Sequence, residues 1–161
     1  MITIHIPGEP VAQGRGRAVQ TPRGLRVVDP AKSRNWKATA QQIAADHMQR
    51  IGRGPLAGPI SLRITAIWSL AKSHHKKKSA VPRQWKTSKP DASNVLKIIE
   101  DAFNGVVWLD DSQVAHVSFE KHTNAQGLGP GLLVQVEPLE SQPDWPYDWD
   151  AKTQSWVKAN G

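Results

Sequence analysis

Residues 89–114 have the types and the spacing that metal-dependent phosphate chemistry needs. The segment reads KPDASNVLKIIEDAFNGVVWLDDSQV and has carboxylates at both ends of one short helical stretch. Asp91 stands where the helix should begin, and Lys97 lies on it. Asp110 and Asp111 follow a short apolar run that is typical of a strand, so helix and strand packed side by side would bring the carboxylates together. Such oxygen ligands suit Mg²⁺ or Mn²⁺ and leave positions open for a substrate phosphate.

Each of these residues also has an ordinary structural interpretation. Asp91 and Ser93 are common helix N-caps, and residues 110–112 are common in turns. Lys97 would be a solvent-facing helical lysine, although it lies near a helix N-terminus, where the backbone dipole favours a bound phosphate. The spacing between Asp91 and the two later aspartates favours the metal site over isolated caps.

Charge is divided unevenly along the chain. Residues 1–90 carry 17 Lys and Arg against 3 Asp and Glu, a net of +14, whereas residues 91–161 carry 4 against 11, a net of −7. A polyanion, most simply nucleic acid, would be attracted to the basic part and held by salt-sensitive phosphate contacts. The alternative is a solvated charged surface that serves only solubility. Many of the basic residues fall in two segments, 9–28 and 71–89. The first contains Arg15, Arg17, Arg23 and Arg26, and the second contains Lys72, His74, His75, Lys76, Lys77, Lys78, Arg83, Lys86 and Lys89.

The two adjacent histidines do not favour a metal site. His74 and His75 would point apart in most backbone conformations, and the neighbouring lysines repel cations. We therefore place the metal with the carboxylates.

Length and composition set further bounds. With 161 residues, 39% of them hydrophobic, the chain can bury one core and gives no reason to expect two large domains. It has no cysteine, which excludes disulfides and thiolate metal sites and fits a reducing compartment. No apolar run approaches the roughly 18 residues of a membrane span, and the first eight residues do not resemble a signal peptide. We expect a soluble cytoplasmic protein with no membrane partner and no small-molecule cofactor.

The hydrophobic pattern predicts an α/β mixture of strands and two helices. Residues 9–28 are rich in Gly, Arg and Pro and predict a long loop, and residues 71–89 show no periodicity. The Asp29-Pro30 pair favours the start of the first helix, and Asn104-Gly105 favours the end of the second. The predicted strands are 2–6, 60–68, 106–109, 114–120 and 132–137, and the predicted helices are 30–50, with Asp29 as its N-cap, and 92–103.

The last residues differ in composition from the rest. Trp145, Tyr147, Trp149 and Trp156 lie in a short acidic segment, and aromatic residues around a polar turn predict a small hairpin. Stacking of nucleic-acid bases on these rings is the less favoured alternative, because the surrounding charge is negative.

The motifs resemble those of the RusA family of Holliday-junction resolvases. The pattern KPD-x-x-N-x-x-K at residues 89–97 is followed by DAFNG, an apolar stretch and DDSQV, and PGEPVAQGRGR at residues 7–17 is similar to the opening of that family. The resemblance covers about residues 1–138, a RusA-like domain. Residues 139–161 form a Trp-rich extension outside it.

The resemblance implies a fold, an activity and an assembly. The fold would be one compact α+β domain with a mixed sheet packed against two main helices. The activity would be Mg²⁺-dependent nicking of opposed strands in a four-way DNA junction by a homodimer, in bacterial or prophage DNA recombination and repair. Asp91, Lys97 and Asp111 would be catalytic, and Asp91, Asp110 and Asp111 would hold Mg²⁺, with Mn²⁺ as a substitute. The DNA-binding residues would be Arg15, Arg17, Arg23, Lys76, Lys77, Lys78, Arg83, Lys86 and Lys89.

One position departs from the family pattern. The family has a second aspartate two residues after the first, whereas this chain has Ser93. A serine hydroxyl carries no charge, so the site would bind metal less tightly. Ser93 and Asp101 are possible auxiliary residues, with Asp101 alternatively a salt-bridge partner of Lys97 and Glu100 simply exposed.

Three explanations for Ser93 stay open from the sequence. The chain could be a natural variant in which Glu100 or Asp101 helps, a junction-binding protein of weak or no activity, or the product of a deliberate substitution. A nuclease for other branched nucleic acids is a further alternative, because the same metal site can act on another substrate shape.

Overall fold

A mixed five-stranded sheet with two helices forms the body of the protein. The computed structural model describes residues 1–22, 24–140 and 147–158. The strands are β1 (Ile2–Pro7), β2 (Arg17–Thr21), β3 (Gly24–Val28), β4 (Ile60–Trp68), β5 (Gln84–Trp85), β6 (Val114–Thr123), β7 (Gly131–Pro138), β8 (Tyr147–Asp150) and β9 (Ser155–Lys158). The helices are α1 (Ala31–Arg50) and α2 (Ala92–Phe103). The α+β fold and both helices are confirmed.

The main sheet has the order β1-β7-β4-β6-β5. Only β4 and β6 run parallel, while the other neighbours are antiparallel. Alternate residues of β1, β4 and β7 are buried, which is the period of a sheet with one covered face. The helices pack against each other, α1 contacts β1, and α2 contacts β6. The core therefore lies between the sheet and the two helices.

The second helix has the clearer sequence signal of the two. Its buried side chains, Val95, Ile98, Ile99, Ala102 and Phe103, recur at helical spacing and form its inner face. Asn104 is the C-cap, and Gly105 follows with a φ of 73°, the left-handed conformation that glycine adopts without a steric cost. The predicted end of this helix is confirmed.

Two local predictions were wrong. The expected strand at residues 106–109 is a turn, in which Val107 and Trp108 are buried, Leu109 is exposed, and Trp108 makes isolated bridges to Leu56 and Asn104. The expected loop at residues 9–28 contains the β2–β3 hairpin, with Arg17 paired to Val28 and Thr21 to Gly24. The start of α1 also differs, because its N-cap position is Pro30, whereas the Asp29 carboxylate lies 3.7 Å from the Lys37 ammonium.

The tail contains a second hairpin. Strands β8 and β9 pair antiparallel, with Trp149 opposite Trp156, as the aromatic pattern predicts. Trp145 lies outside the described residues, as do the side chains of Tyr147, Trp149 and Trp156, so their packing stays a prediction. In the described part of the chain, no helix is long and apolar enough to cross a membrane.

Candidate active site

The outer face of α2 carries a row of functional side chains. Ser93, Lys97 and Glu100 are four and then three residues apart, which places them one above another on the same side of a helix. Ser93 and Lys97 are exposed, and Glu100 is half-buried. This face is opposite the apolar face that packs into the core.

Asp111 influences this row through its charge, at Glu100. Burial raises the pKa of Glu100, the nearby Asp111 carboxylate raises it further, and the Lys97 ammonium opposes the shift. Two carboxylates that repel each other beside a lysine are a common arrangement at sites that bind cations or phosphates. Lys97 and Asp111 therefore both act electrostatically on Glu100, which is half-buried, whereas the sequence predicted that it would be simply exposed.

A buried tryptophan orients Asp111. Trp108 is fully buried, and its indole Nε1–H donates a 2.9 Å hydrogen bond to Asp111 Oδ1. The turn that contains Trp108 is itself fixed, because Leu56 N–H donates to the Val107 carbonyl at 2.8 Å. The apolar residues 106–109 therefore form a turn, not a strand, and this turn holds the Asp111 carboxylate in place.

Asp110 has a structural role. Its carboxylate accepts a 2.9 Å hydrogen bond from Ser112 N–H and caps the short helical turn 111–113, while the Gln113 side chain accepts from Asp110 N–H. Hydrogen bonds from Ser112 lower the pKa of Asp110. This reciprocal pattern is a capping box, so the turn interpretation accounts for Asp110 without a metal.

Asp91 is different, because the capping interpretation fails there. It occupies the N-cap position of α2, yet its side chain makes no capping hydrogen bond. The residue is exposed at the end of the basic segment and immediately follows Pro90. The Asp91 carboxylate is therefore not explained by helix capping.

Asp101 is not a partner of Lys97. Its Oδ2 lies 3.6 Å from the Nζ atom of Lys37 on α1, so it links the two helices. Among the two auxiliary carboxylates considered from the sequence, the contacts favour Glu100 over Asp101 as the one that belongs to the site.

The carboxylates do not form a complete metal cage. Among the described residues, no group of three or more His, Asp or Glu is arranged to hold a metal ion, so Asp91, Asp110 and Asp111 do not form one. Glu100 with Asp111 nevertheless offers two hard oxygen ligands, and Mg²⁺ is often held by one or two carboxylates together with substrate phosphates. The donor set fits such an ion, and its presence stays a prediction.

Comparison with known proteins assigns the chain to a family. A family model described as "Endodeoxyribonuclease RusA" matches residues 7–137, most of the chain. The chain belongs to the RusA endodeoxyribonuclease family. A relative, "Uncharacterized protein YqaN" of Bacillus subtilis (strain 168), is 34% identical over 122 residues, which is 74% of this chain and 86% of the relative. Membership of the RusA family confirms the resemblance seen in the motifs and supports a nuclease that acts on DNA.

Basic side chains of two segments are available to a polyanion. Residues 71–80 are all exposed, including Lys76, Lys77 and Lys78, and so are Arg15, Arg17 and Arg26 around the β2–β3 hairpin. Within the described part of the chain, ion pairs involve Lys37 and His122 but none of these basic residues. Arg23 lies outside the described residues.

Two of the predicted DNA-binding residues also make contacts within the protein. Lys86 Nζ lies 5.5 Å from the centre of the Trp68 ring and donates to Ser88 Oγ at 2.7 Å. Burial and the nearby Lys121 lower the pKa of Lys86. Arg83 Nε and Nη2 both lie 3.3 Å from the Oδ1 atom of Asn124, a buried residue. Lys86 and Arg83 thus stabilise the basic segment; Lys86 is half-buried, whereas Arg83 and Lys89 are exposed.

The lysine run gives a testable prediction. Changing Lys76, Lys77 and Lys78 together to alanine should weaken DNA binding and reduce the slope of log affinity against log salt by up to about three units, because each phosphate contact releases about one counterion. Folding should be retained, since the backbone of Lys76, rather than its side chain, bonds to Gln126.

The matched control is Lys152→Ala, an exposed lysine in the acidic tail. Binding titrations at several salt concentrations measure the slope. An unchanged slope in the triple variant would mean that the run is only solvated surface.

Proposed function

We propose that this protein is a Mg²⁺-dependent endodeoxyribonuclease that resolves four-way DNA junctions by paired symmetric nicks, in DNA recombination and repair. The observation that carries the proposal is the match of residues 7–137 to the RusA endodeoxyribonuclease family, in a chain whose Glu100, on the outer face of α2, is influenced by the charges of both Lys97 and Asp111. Exposed lysines and arginines supply phosphate contacts that hold DNA near this face.

Each residue of the site has a distinct role in this proposal. Glu100 and Asp111 would hold Mg²⁺ or Mn²⁺ together with oxygens of the substrate phosphate, and Asp91 at the start of the same helix would supply a further carboxylate once ion and DNA are bound. Asp110 is engaged in its capping box and would lie nearby. The ion would supply Lewis-acid stabilisation of the phosphate. Lys97 would contribute a positive charge to the phosphoryl oxygens as negative charge develops on them. Trp108 keeps Asp111 oriented through its indole hydrogen bond, so the carboxylate need not reorganise during the reaction.

The chemistry is hydrolysis of a phosphodiester. Water attacks the phosphorus, the bond to the 3′ oxygen breaks, and that oxygen takes a proton. The products carry 5′-phosphate and 3′-hydroxyl ends. Two opposed cuts need two active sites related by a two-fold axis, so the proposal includes a homodimer.

The test uses a synthetic four-way junction, a matched duplex and a flap, each with Mg²⁺, Mn²⁺ or EDTA. We expect the junction alone to be nicked at symmetric positions in opposed strands, with no cutting in EDTA. Denaturing gels measure the products, and native gels measure binding in the same samples. Preferred cutting of the flap would indicate a nuclease for other branched nucleic acids, and metal-independent cutting would contradict the proposal.

Ser93 favours a second candidate function, that of a junction-binding protein with little or no nuclease activity. The hydroxyl stands on the catalytic face where a RusA carboxylate is expected, one turn before Lys97. Such a protein would retain the exposed basic residues and shift the junction in native gels, yet produce no nicks with either metal.

A further inference from the structure

An aromatic side chain outside the catalytic face is unusually exposed. Trp85 lies in β5 at the edge of the main sheet, and 68% of its surface is accessible. Tryptophan is normally highly buried, because burial of its large apolar ring is more favourable in free energy than burial of most side chains. Trp85 also lies within the basic segment, between Arg83 and Lys89. An aromatic ring among cations that bind phosphate is the composition of a single-strand binding surface.

The Trp85 ring is supported from one side. Its centroid lies 4.4 Å from that of His122 on β6, and the two planes are inclined by 28°, a stacked arrangement. His122 is fixed in turn, because its Nε2 lies 3.0 Å from Glu120 Oε2. One face of the indole is therefore covered and oriented, while the high exposure of Trp85 leaves the other face open. A preorganised ring loses little entropy when a planar ligand stacks on it.

A polar cavity lies against the same ring. It has a volume of about 370 Å³, within the range of small-ligand sites, and Trp85 forms part of its wall. Its other lining residues include Ser69, His74, Thr87, Ser88 and Thr123. Hydroxyl and imidazole groups can both donate and accept hydrogen bonds, as the edges of a nucleobase require.

The ring is also held in a fixed place relative to Asp91. Lys86 N–H donates to the Lys121 carbonyl at 2.9 Å, and Lys121 Nζ donates to the carbonyls of Ser88 and Pro90. Asp91 follows Trp85 by six positions along the chain, a span of at most about 20 Å. A base stacked on Trp85 would thus lie close, on the same DNA, to the phosphate at the candidate catalytic face.

We propose that Trp85 and the adjacent cavity bind one unpaired nucleobase at the branch of the DNA substrate. The open face of Trp85 stacks on the base, and the polar lining contacts its edge. This proposal rests on the proposed function, because it assigns a binding site for the same substrate. It adds a stacking contact that only an unpaired base can make. Phosphate contacts form with paired and unpaired DNA alike, so they cannot distinguish the two.

The test compares Trp85→Ala and Trp85→Phe with the unmodified protein. The probes are a ten-nucleotide thymidine strand with one central 2-aminopurine, a perfect duplex and a four-way junction with 2-aminopurine at the crossover. We expect Trp85→Ala to bind the single strand and the junction about fivefold or more weakly and to lose the fluorescence change of 2-aminopurine. Duplex affinity and the salt slope should stay the same, because stacking releases no counterions. Trp85→Phe, which keeps an aromatic face, should retain most of both signals.

Two controls keep the outcomes separate. Thermal unfolding checks that Trp85→Ala is folded, and the triple lysine variant should show the opposite result, a changed salt slope with the fluorescence signal retained. Equal affinity and equal fluorescence for Trp85→Ala, in a protein that binds and cuts junctions, would overturn the stacking site alone. A protein that binds none of the three DNA probes would overturn the proposed function as well.

Discussion

Cutting of a four-way junction should fall to background when Asp91 or Asp111 is changed to asparagine, while junction binding persists or tightens. Each change removes one negative charge and one hard oxygen ligand from a site proposed to hold Mg²⁺. Binding should not suffer, because losing a negative charge beside a DNA phosphate removes repulsion. Nicking rates on denaturing gels and affinities on native gels measure the two effects separately.

The structure separates this result from a loss of folding. The Asp91 side chain makes no capping hydrogen bond, so Asp91→Asn should change the free energy of unfolding by no more than about 0.5 kcal/mol. Because asparagine caps a helix as well as aspartate, a capping role is tested with Asp91→Ala, which would then cost about 1 kcal/mol and leave nuclease activity in proportion to folded protein. In Asp111→Asn the amide oxygen can still accept the hydrogen bond from Trp108 Nε1.

Asp101→Asn is the matched control on the same helix. Its carboxylate pairs with Lys37 on α1, so we expect cutting to be retained in this variant. Lys97→Ala should lower the cutting rate with less effect on affinity, as expected for a group that acts mainly on the transition state. Full cutting by Asp91→Asn or Asp111→Asn would exclude a catalytic role for the aspartate concerned.

The elements with strong hydrophobic periodicity could be predicted from the sequence. Helix α2 repeats its apolar residues at helical spacing, and β4 alternates buried and less buried residues over its whole length. The strand predicted at residues 106–109 was wrong, because a short apolar run is compatible with a strand, a helix or any other buried segment. Here the burial of Val107 and Trp108 comes from a turn packed in the core. The β2–β3 hairpin was missed because its exposed residues show no alternating burial.

The site itself was only partly predictable. The sequence placed Lys97 on a helix and Asp111 after an apolar run, but it could not show which turn of the helix Asp111 would meet. That depends on how the Trp108 turn is held against Leu56, a tertiary contact, and the result is that the Asp111 charge acts on Glu100. The spacing of Lys97 and Asp101 favoured an intrahelical pair, whereas the packing of α1 on α2 gives Asp101 a partner on the other helix. Local spacing cannot anticipate such partners.

Changing Ser93 to aspartate should raise junction cutting at low Mg²⁺ by about one order of magnitude or more. Residue 93 shares the outer face of α2 with Lys97 and Glu100, so the new carboxylate adds a charged ligand to the proposed metal site and strengthens ion binding. Stability should not fall, because Ser93 is exposed and a negative charge in the first turn of a helix is favourable by about 0.5 kcal/mol. Nicking rates across a Mg²⁺ titration measure the gain.

The controls for this change are Ser93→Ala and Glu100→Gln. If Glu100 already compensates for the missing aspartate, Ser93→Ala should cut like the unmodified protein, whereas Glu100→Gln should need more Mg²⁺ for the same rate. Ser93→Asp should then restore much of the activity of Glu100→Gln, since the two carboxylates would serve one ion from the same helical face. A protein that binds junctions but never cuts them, even as Ser93→Asp with Mn²⁺, would contradict the nuclease proposal. The basic surfaces would then support a junction-binding role alone.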